Sequence, residues 1–130
     1  MVRRAALVLA IPFLLACPGL GDEDGGDVPE SPTWNEHVQA ILADHCAACH
    51  TDTPQNGAPD GFRFDAYEGD ADDLGAFDMR CDIRNRAVNG APSFMPPSGA
   101  LGATERATLE RWIEQGGRES AEDPIGTPCS

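Results

Sequence analysis

Three stretches of the chain repeat apolar side chains with helical spacing. Trp34, Val38, Ile41 and Leu42 fall at i, i+4, i+7 and i+8, which gathers them on one face of a helix. The preceding Thr33-Trp34-Asn35-Glu36 fits a capping box, with the Thr hydroxyl taking an amide and the Glu returning to the cap, so this helix is expected to run to about Asp44. Met79, Ile83 and Ala87 recur at i, i+4 and i+8 and predict a second helix from about Ala76 to Val88, ended by Asn89-Gly90. Leu109, Trp112 and Ile113 form the buried stripe of a third, from about Ala103 to Gln115. Gly102, three residues before Glu105, marks its start, and Gly116-Gly117 its stop.

The connecting segments carry turn chemistry. Residues Thr51 to Asp60 hold Pro54, Pro59, Asn56 and Gly57 among polar side chains and read as a loop. Gly61 to Tyr67 alternates apolar and polar side chains, which fits either a short strand or an extended loop. The acidic run from Glu68 to Asp73 lacks the ordered alternation and terminal Glu of a calcium loop and reads as a solvated turn. Ala91 to Ala100 contains Pro92, Pro96 and Pro97 and cannot continue a helix, so Met95 sits on a Pro-stiffened loop. No internal repeat is visible. The expected architecture is all-α, one small domain over residues 33–118 followed by a tail at 119–130.

The N-terminal end has a different character. Met1-Val2-Arg3-Arg4, followed by an apolar run to Ala16, has the charged start and short hydrophobic stretch of an export signal. A bilayer span needs about 20 apolar residues, and this run is shorter and interrupted by Pro12. Residues 17–32 are rich in Gly, Asp, Glu and Pro and read as a disordered tether, with a reach on the order of 20 Å as a flexible coil.

Charge narrows the choice of partner. The chain has 9 basic and 22 acidic residues, a formal charge of −13, and losing Arg3 and Arg4 on processing takes it to −15. Phosphate backbones are bound by clustered Lys and Arg, so no nucleic acid is expected. A partner protein with a basic docking face would be steered toward it.

The candidate chemistry lies just after the first helix. In Cys46-Ala47-Ala48-Cys49-His50, two thiols one helical turn apart can add to the two vinyl groups of a haem, and the adjacent His reaches the iron from the same side. A hydrogen bond on the other nitrogen of His50 is expected to orient the ring. A porphyrin would also supply bulk to a chain with only 6% aromatic residues, 14 Gly and 11 Pro. Two other readings use the same residues. A thiol redox pair would need a β-α-β setting and a nucleophilic thiolate. A zinc site would draw Cys46, Cys49 and a fourth-ligand set from His37, His45 and His50.

Taken together, Cys46, Cys49 and His50, the Met95-Pro96-Pro97 loop, and a final helix with Leu109, Trp112 and Ile113 resemble a class I c-type cytochrome domain over about Thr33 to Gly117. The resemblance implies one covalent haem c, Met95 as the second axial ligand opposite His50, and a role as a single-electron carrier that catalyses no reaction of its own. Met79 then reads as a core residue, His37 as a surface residue, and His45 as issuing from the His50 side of the ring. Phe62, Phe64 and Tyr67 read as the apolar wall of the haem pocket, and Trp34 and Trp112 as joining the first and last helices. A sensor or small oxidase with an open iron site, and an interaction module with a structural haem, are the alternatives in other classes.

Leu14-Leu15-Ala16-Cys17 resembles the bacterial lipoprotein signal, in which the chain is cut before a Cys that is then acylated. This implies an exported protein anchored to a membrane and facing the periplasm or the cell surface. With Cys17 acylated and two cysteines on the haem, Cys81 and Cys129 remain as an even pair. An oxidising compartment is expected to join them.

Overall fold

A computed structural model describes residues 26–129. The expected export signal, Cys17 and the first part of the expected tether lie outside the described residues. Three helical segments, and no strand, make up the regular structure of the described residues.

Helix α1 begins with a wide turn, Trp34–Val38, and continues as Gln39–His45. The turn is wide because the Thr33 carbonyl accepts from both His37 N (3.1 Å) and Val38 N (3.1 Å). Thr33 caps it as expected, its hydroxyl accepting from Glu36 N at 3.4 Å. The returning half of the box differs: Thr33 N donates to His37 Nδ1 at 3.2 Å, while Glu36 is exposed. His37 is therefore half-buried rather than a free surface residue, because the wide turn brings its ring back to the cap.

Helix α2 runs through Arg80–Ile83 and Arg84–Val88, starting later than its apolar spacing suggests, since residues 76–79 form a turn. It stops at Gly90, whose φ of +70° is the left-handed conformation that ends a helix at little steric cost. Helix α3 is Ala103–Glu114, and the Glu105 side chain closes back on Gly102 N at 3.1 Å.

The predicted apolar faces meet. Trp34, Val38 and Leu42 of α1, Ile83 and Ala87 of α2, and Leu109, Trp112 and Ile113 of α3 are buried in one cluster with Phe64, Ala76 and Leu101. α3 is the common neighbour, packing on the first turn of α1 and the second half of α2. The Arg118 carbonyl ties two of these helices, accepting from Trp112 Nε1 (2.8 Å) and from Trp34 N (2.9 Å).

Two segments read as peripheral are part of this body. Residues 26–32, expected within the tether, lie along α3: Arg111 donates to the Val28 and Pro29 carbonyls (3.3 and 2.9 Å), Gln115 to Glu30 (2.8 Å) and Thr104 to Gly26 (3.1 Å). Pro32 is fully buried. The ordered body thus starts before Thr33, because arginine and glutamine side chains of α3 pair with backbone carbonyls that composition alone leaves to solvent. At the other end, Gly126 N donates to Gln115 O at 3.0 Å, and Cys129 is disulfide-bonded to Cys81 of α2 with a Cα–Cα distance of 5.6 Å.

Gly61 to Tyr67 forms an extended loop. Its pairing is one parallel bridge between Phe62 and Leu74, with Arg63 N donating to Leu74 O (2.8 Å) and Leu74 N to Gly61 O (3.0 Å). A strand needs a partner of matching length, and here the chain turns away at the acidic run, where Asp70 accepts from Asp72 N and Asp73 N.

Candidate functional site

Beyond His45 the chain winds through close turns. Cys46 N and Ala47 N both donate to Leu42 O (2.9 and 2.8 Å), and Cys49 N and His50 N both donate to Cys46 O (3.1 and 3.0 Å). This winding puts Cys46, Cys49 and His50 on the wall of one cavity of about 380 Å³, a size typical of a small-molecule site. Phe62, Phe64, Ile83 and Ala87 supply apolar lining, and Met95 with Pro96 and Pro97 lines it from the Pro-rich loop. The cavity thus collects residues from the end of α1, the motif turns, α2 and the loops between and after them.

Loop 61–64 is fastened to the motif, since Phe64 N donates to His50 O at 2.9 Å. Phe62 stacks on the His50 imidazole at 4.8 Å between centroids and 23° between planes, and Phe64 lies tilted at 5.2 Å. Both phenylalanines line the cavity. Tyr67 does not: it lies between Trp34 and Phe77 (5.9 and 5.3 Å) and its hydroxyl donates to Gly117 O at 2.8 Å. Tyr67 falls three residues after Phe64, out of step with the Phe62 and Phe64 alternation, and packs with Trp34 and Phe77 away from the cavity.

Protonation matters at two of the motif residues, Cys46 and His50. Burial, with a smaller contribution from the neighbouring Cys49, pushes the Cys46 thiol up to about 11, so it stays protonated at neutral pH. A nucleophilic thiolate of the kind a thiol redox pair requires is disfavoured there. Burial also holds the His50 imidazole below its ordinary value, keeping it neutral with a lone pair free to donate. Its Nδ1 is buried without a hydrogen-bond partner. The orienting hydrogen bond expected on His50 is therefore missing among the described residues, and Phe62 and Phe64 bracket the ring instead.

Several neighbours escaped the sequence reading. Asn56 donates to Cys49 Sγ at 3.3 Å from a left-handed conformation (φ +54°), for which the Asn56-Gly57 pair was a turn signal with no hint of its target. His45, also on the cavity wall, is bonded through Nε2 to Glu105 Oε1 at 2.9 Å, sixty residues away. Met79 lines the cavity while also packing against the core, so two thioethers border the site. Among the described residues no three His, Cys, Asp or Glu side chains gather into a metal-binding group. The zinc set drawn from Cys46, Cys49 and the histidines is not assembled: His37 is at the α1 cap and His45 is engaged with Glu105.

What the arrangement offers is an apolar slot with two thiols outside any disulfide, the neutral His50 imidazole and the Met79 and Met95 thioethers on its walls. No helix among the described residues is long and apolar enough to cross a membrane. In comparison with known proteins, the chain matches no family model, no curated protein and no solved structure.

Proposed function

We propose that the chain is a single-haem c-type cytochrome domain that carries one electron at a time, exported and held at a bacterial membrane through an acylated Cys17. The observation that carries the reading is the meeting of Cys46, Cys49 and His50 with Met95 around one apolar cavity, although Met95 lies 45 or more residues further along the chain. The donor set fits the group: two thiols that would take the vinyl carbons, a neutral imidazole and a thioether that would serve as iron ligands, and aromatic walls for a flat macrocycle. When bound, haem c supplies an iron that changes its valence by one electron.

The chain's own residues do the rest. Cys46 and Cys49 would hold the ring covalently, and His50 and Met95 would supply the ligands to its iron. A thioether and an imidazole together would favour the reduced iron relative to two imidazoles. Phe62, Phe64, Ile83 and Ala87 keep water away, which limits the solvent rearrangement that accompanies a change of charge.

The surface suits a basic redox partner. Arg80, Arg84, Arg111 and Arg118 donate to backbone carbonyls of this same chain, and Arg63 is paired with Asp65 at 2.7 Å. Many of the carboxylates stay exposed, among them Glu68, Asp70, Asp72 and Asp78. Such a surface speeds encounter with an oppositely charged protein, an effect that weakens as salt rises.

The test is an absorption spectrum of the oxidised and reduced protein purified with its haem, followed by acid-solvent extraction. Haem that stays with the chain and a low-spin spectrum that Met95→Ala converts to a ligand-binding one are expected. Haem that extracts freely would sink the attachment. A Met95→Ala spectrum identical to the parent's would sink the sixth ligand.

A further inference from the structure

The Met95 loop has little to hold it in place. Three of its residues are prolines without an N–H, and Pro92, Ser93 and Phe94 are exposed. Gly99 N donates to Pro96 O, within the loop itself. Among the described residues its hydrogen bonds to the body run to two consecutive residues of α2. Ala91 N donates to Asn85 O at 2.8 Å, Met95 N donates to Arg86 O at 3.2 Å, and Arg86 Nη1 donates to Ser93 Oγ at 3.3 Å.

Arg86 thus grips the loop with both its carbonyl and its guanidinium. It also lines the same cavity as Met95. The direction its side chain takes is informative. Asp82 stands one turn earlier on α2, a spacing at which an acid and a base commonly pair, and it borders the cavity too. Among the described residues no ion pair joins them, and the guanidinium reaches forward to the loop.

We propose that Arg86 is a positioning residue for the second axial ligand: through Ser93 it clamps the Pro-rich loop to α2 and keeps the Met95 thioether at the cavity. The inference rests on the reading of Met95 as an iron ligand. It adds a residue that never touches the iron and sets how readily the thioether leaves it.

The experiment uses the full chain purified with its haem and measures the rate at which carbon monoxide binds the reduced protein, a reaction that must wait for the thioether to depart. Losing one hydrogen bond to a charged donor should make Arg86→Gln and Ser93→Ala each bind about two- to tenfold faster. The double variant should be no faster than either single, because both remove the same contact. Arg86→Lys should recover part of the parent rate, and the thermal midpoint should move little in any of them. A parent-like rate in Arg86→Gln and Ser93→Ala, or additive effects in the double variant, overturns the clamp. Met95→Ala separates the two readings. If it alone gives fast binding, the ligand stands and the clamp fails; if it too behaves as the parent, the ligand assignment itself has failed.

Discussion

Removing the Cys81–Cys129 disulfide should cost the domain about 4 kcal/mol. The bond closes a loop with a sequence separation of 48, and the chain-entropy relation for a loop of that length gives a loss of about 14 cal/mol/K, or about 4 kcal/mol at 25 °C. For a domain of this size that corresponds to a fall of roughly 15–30 °C in the thermal midpoint. The tail keeps the Gly126 N to Gln115 O bond after the cross-link is gone, but the Arg84 Nη1 contact with Cys129 O depends on it. The assay is guanidinium unfolding of the full chain followed by circular dichroism, comparing the oxidised parent, the parent in reductant, and Cys81→Ala/Cys129→Ala. Reductant and double variant should agree, because thioether links at Cys46 and Cys49 would survive a reagent that opens a disulfide. A loss under about 1 kcal/mol would refute the entropic argument and show that the tail's packing already confines the unfolded chain.

Other perturbations test the core and the site's surroundings. Trp112→Ala removes a fully buried indole and its bond to Arg118 O, and should lose about 3–5 kcal/mol in the same titration; a loss below about 1 kcal/mol would contradict its place at the α1–α3 junction. Tyr67 is the single tyrosine, and burial, aided by Glu119, Asp123 and Glu68, pushes its phenol up to about 12. Its neutral form is favoured in the fold, so the stability contributed by Tyr67 is fully present below about pH 10 and is lost between about 10 and 12 as the unfolded chain ionises first. Phenolate absorbance rising near pH 10 in the folded protein, or the same alkaline loss in Tyr67→Phe, would speak against this. Gly116→Ala should cost about 1–3 kcal/mol, because φ is +84° and a Cβ would stand 2.4 Å from Gly126 backbone; Gly57→Ala, at φ +79° in open space, should cost less.

What could be read from the chain were the features made by neighbours in sequence. The apolar faces of α1, α2 and α3 follow from helical spacing, and the same buried residues appear in the core, since a helix presents i, i+4 and i+7 side chains together wherever it packs. Gly90 and Gly116 end helices because a left-handed residue is required there, a demand local enough to show in composition. Gly61 to Tyr67 was legible only halfway. Its alternation put Phe62 and Phe64 on one side, but whether a strand formed depended on Leu74 and on the acidic turn between.

The sequence by itself determined the set of donor groups, two thiols and an imidazole whose spacing is written in five consecutive residues. Only the tertiary structure decided what those residues face. It brought Met95 and Met79 to the same cavity, set Asn56 on Cys49 and Glu105 on His45, turned Arg86 toward Ser93, and laid residues 26–32 along α3. Each of these joins groups carried by separate turns or elements. Their geometry depends on how the helices dock, and local spacing holds no record of that docking.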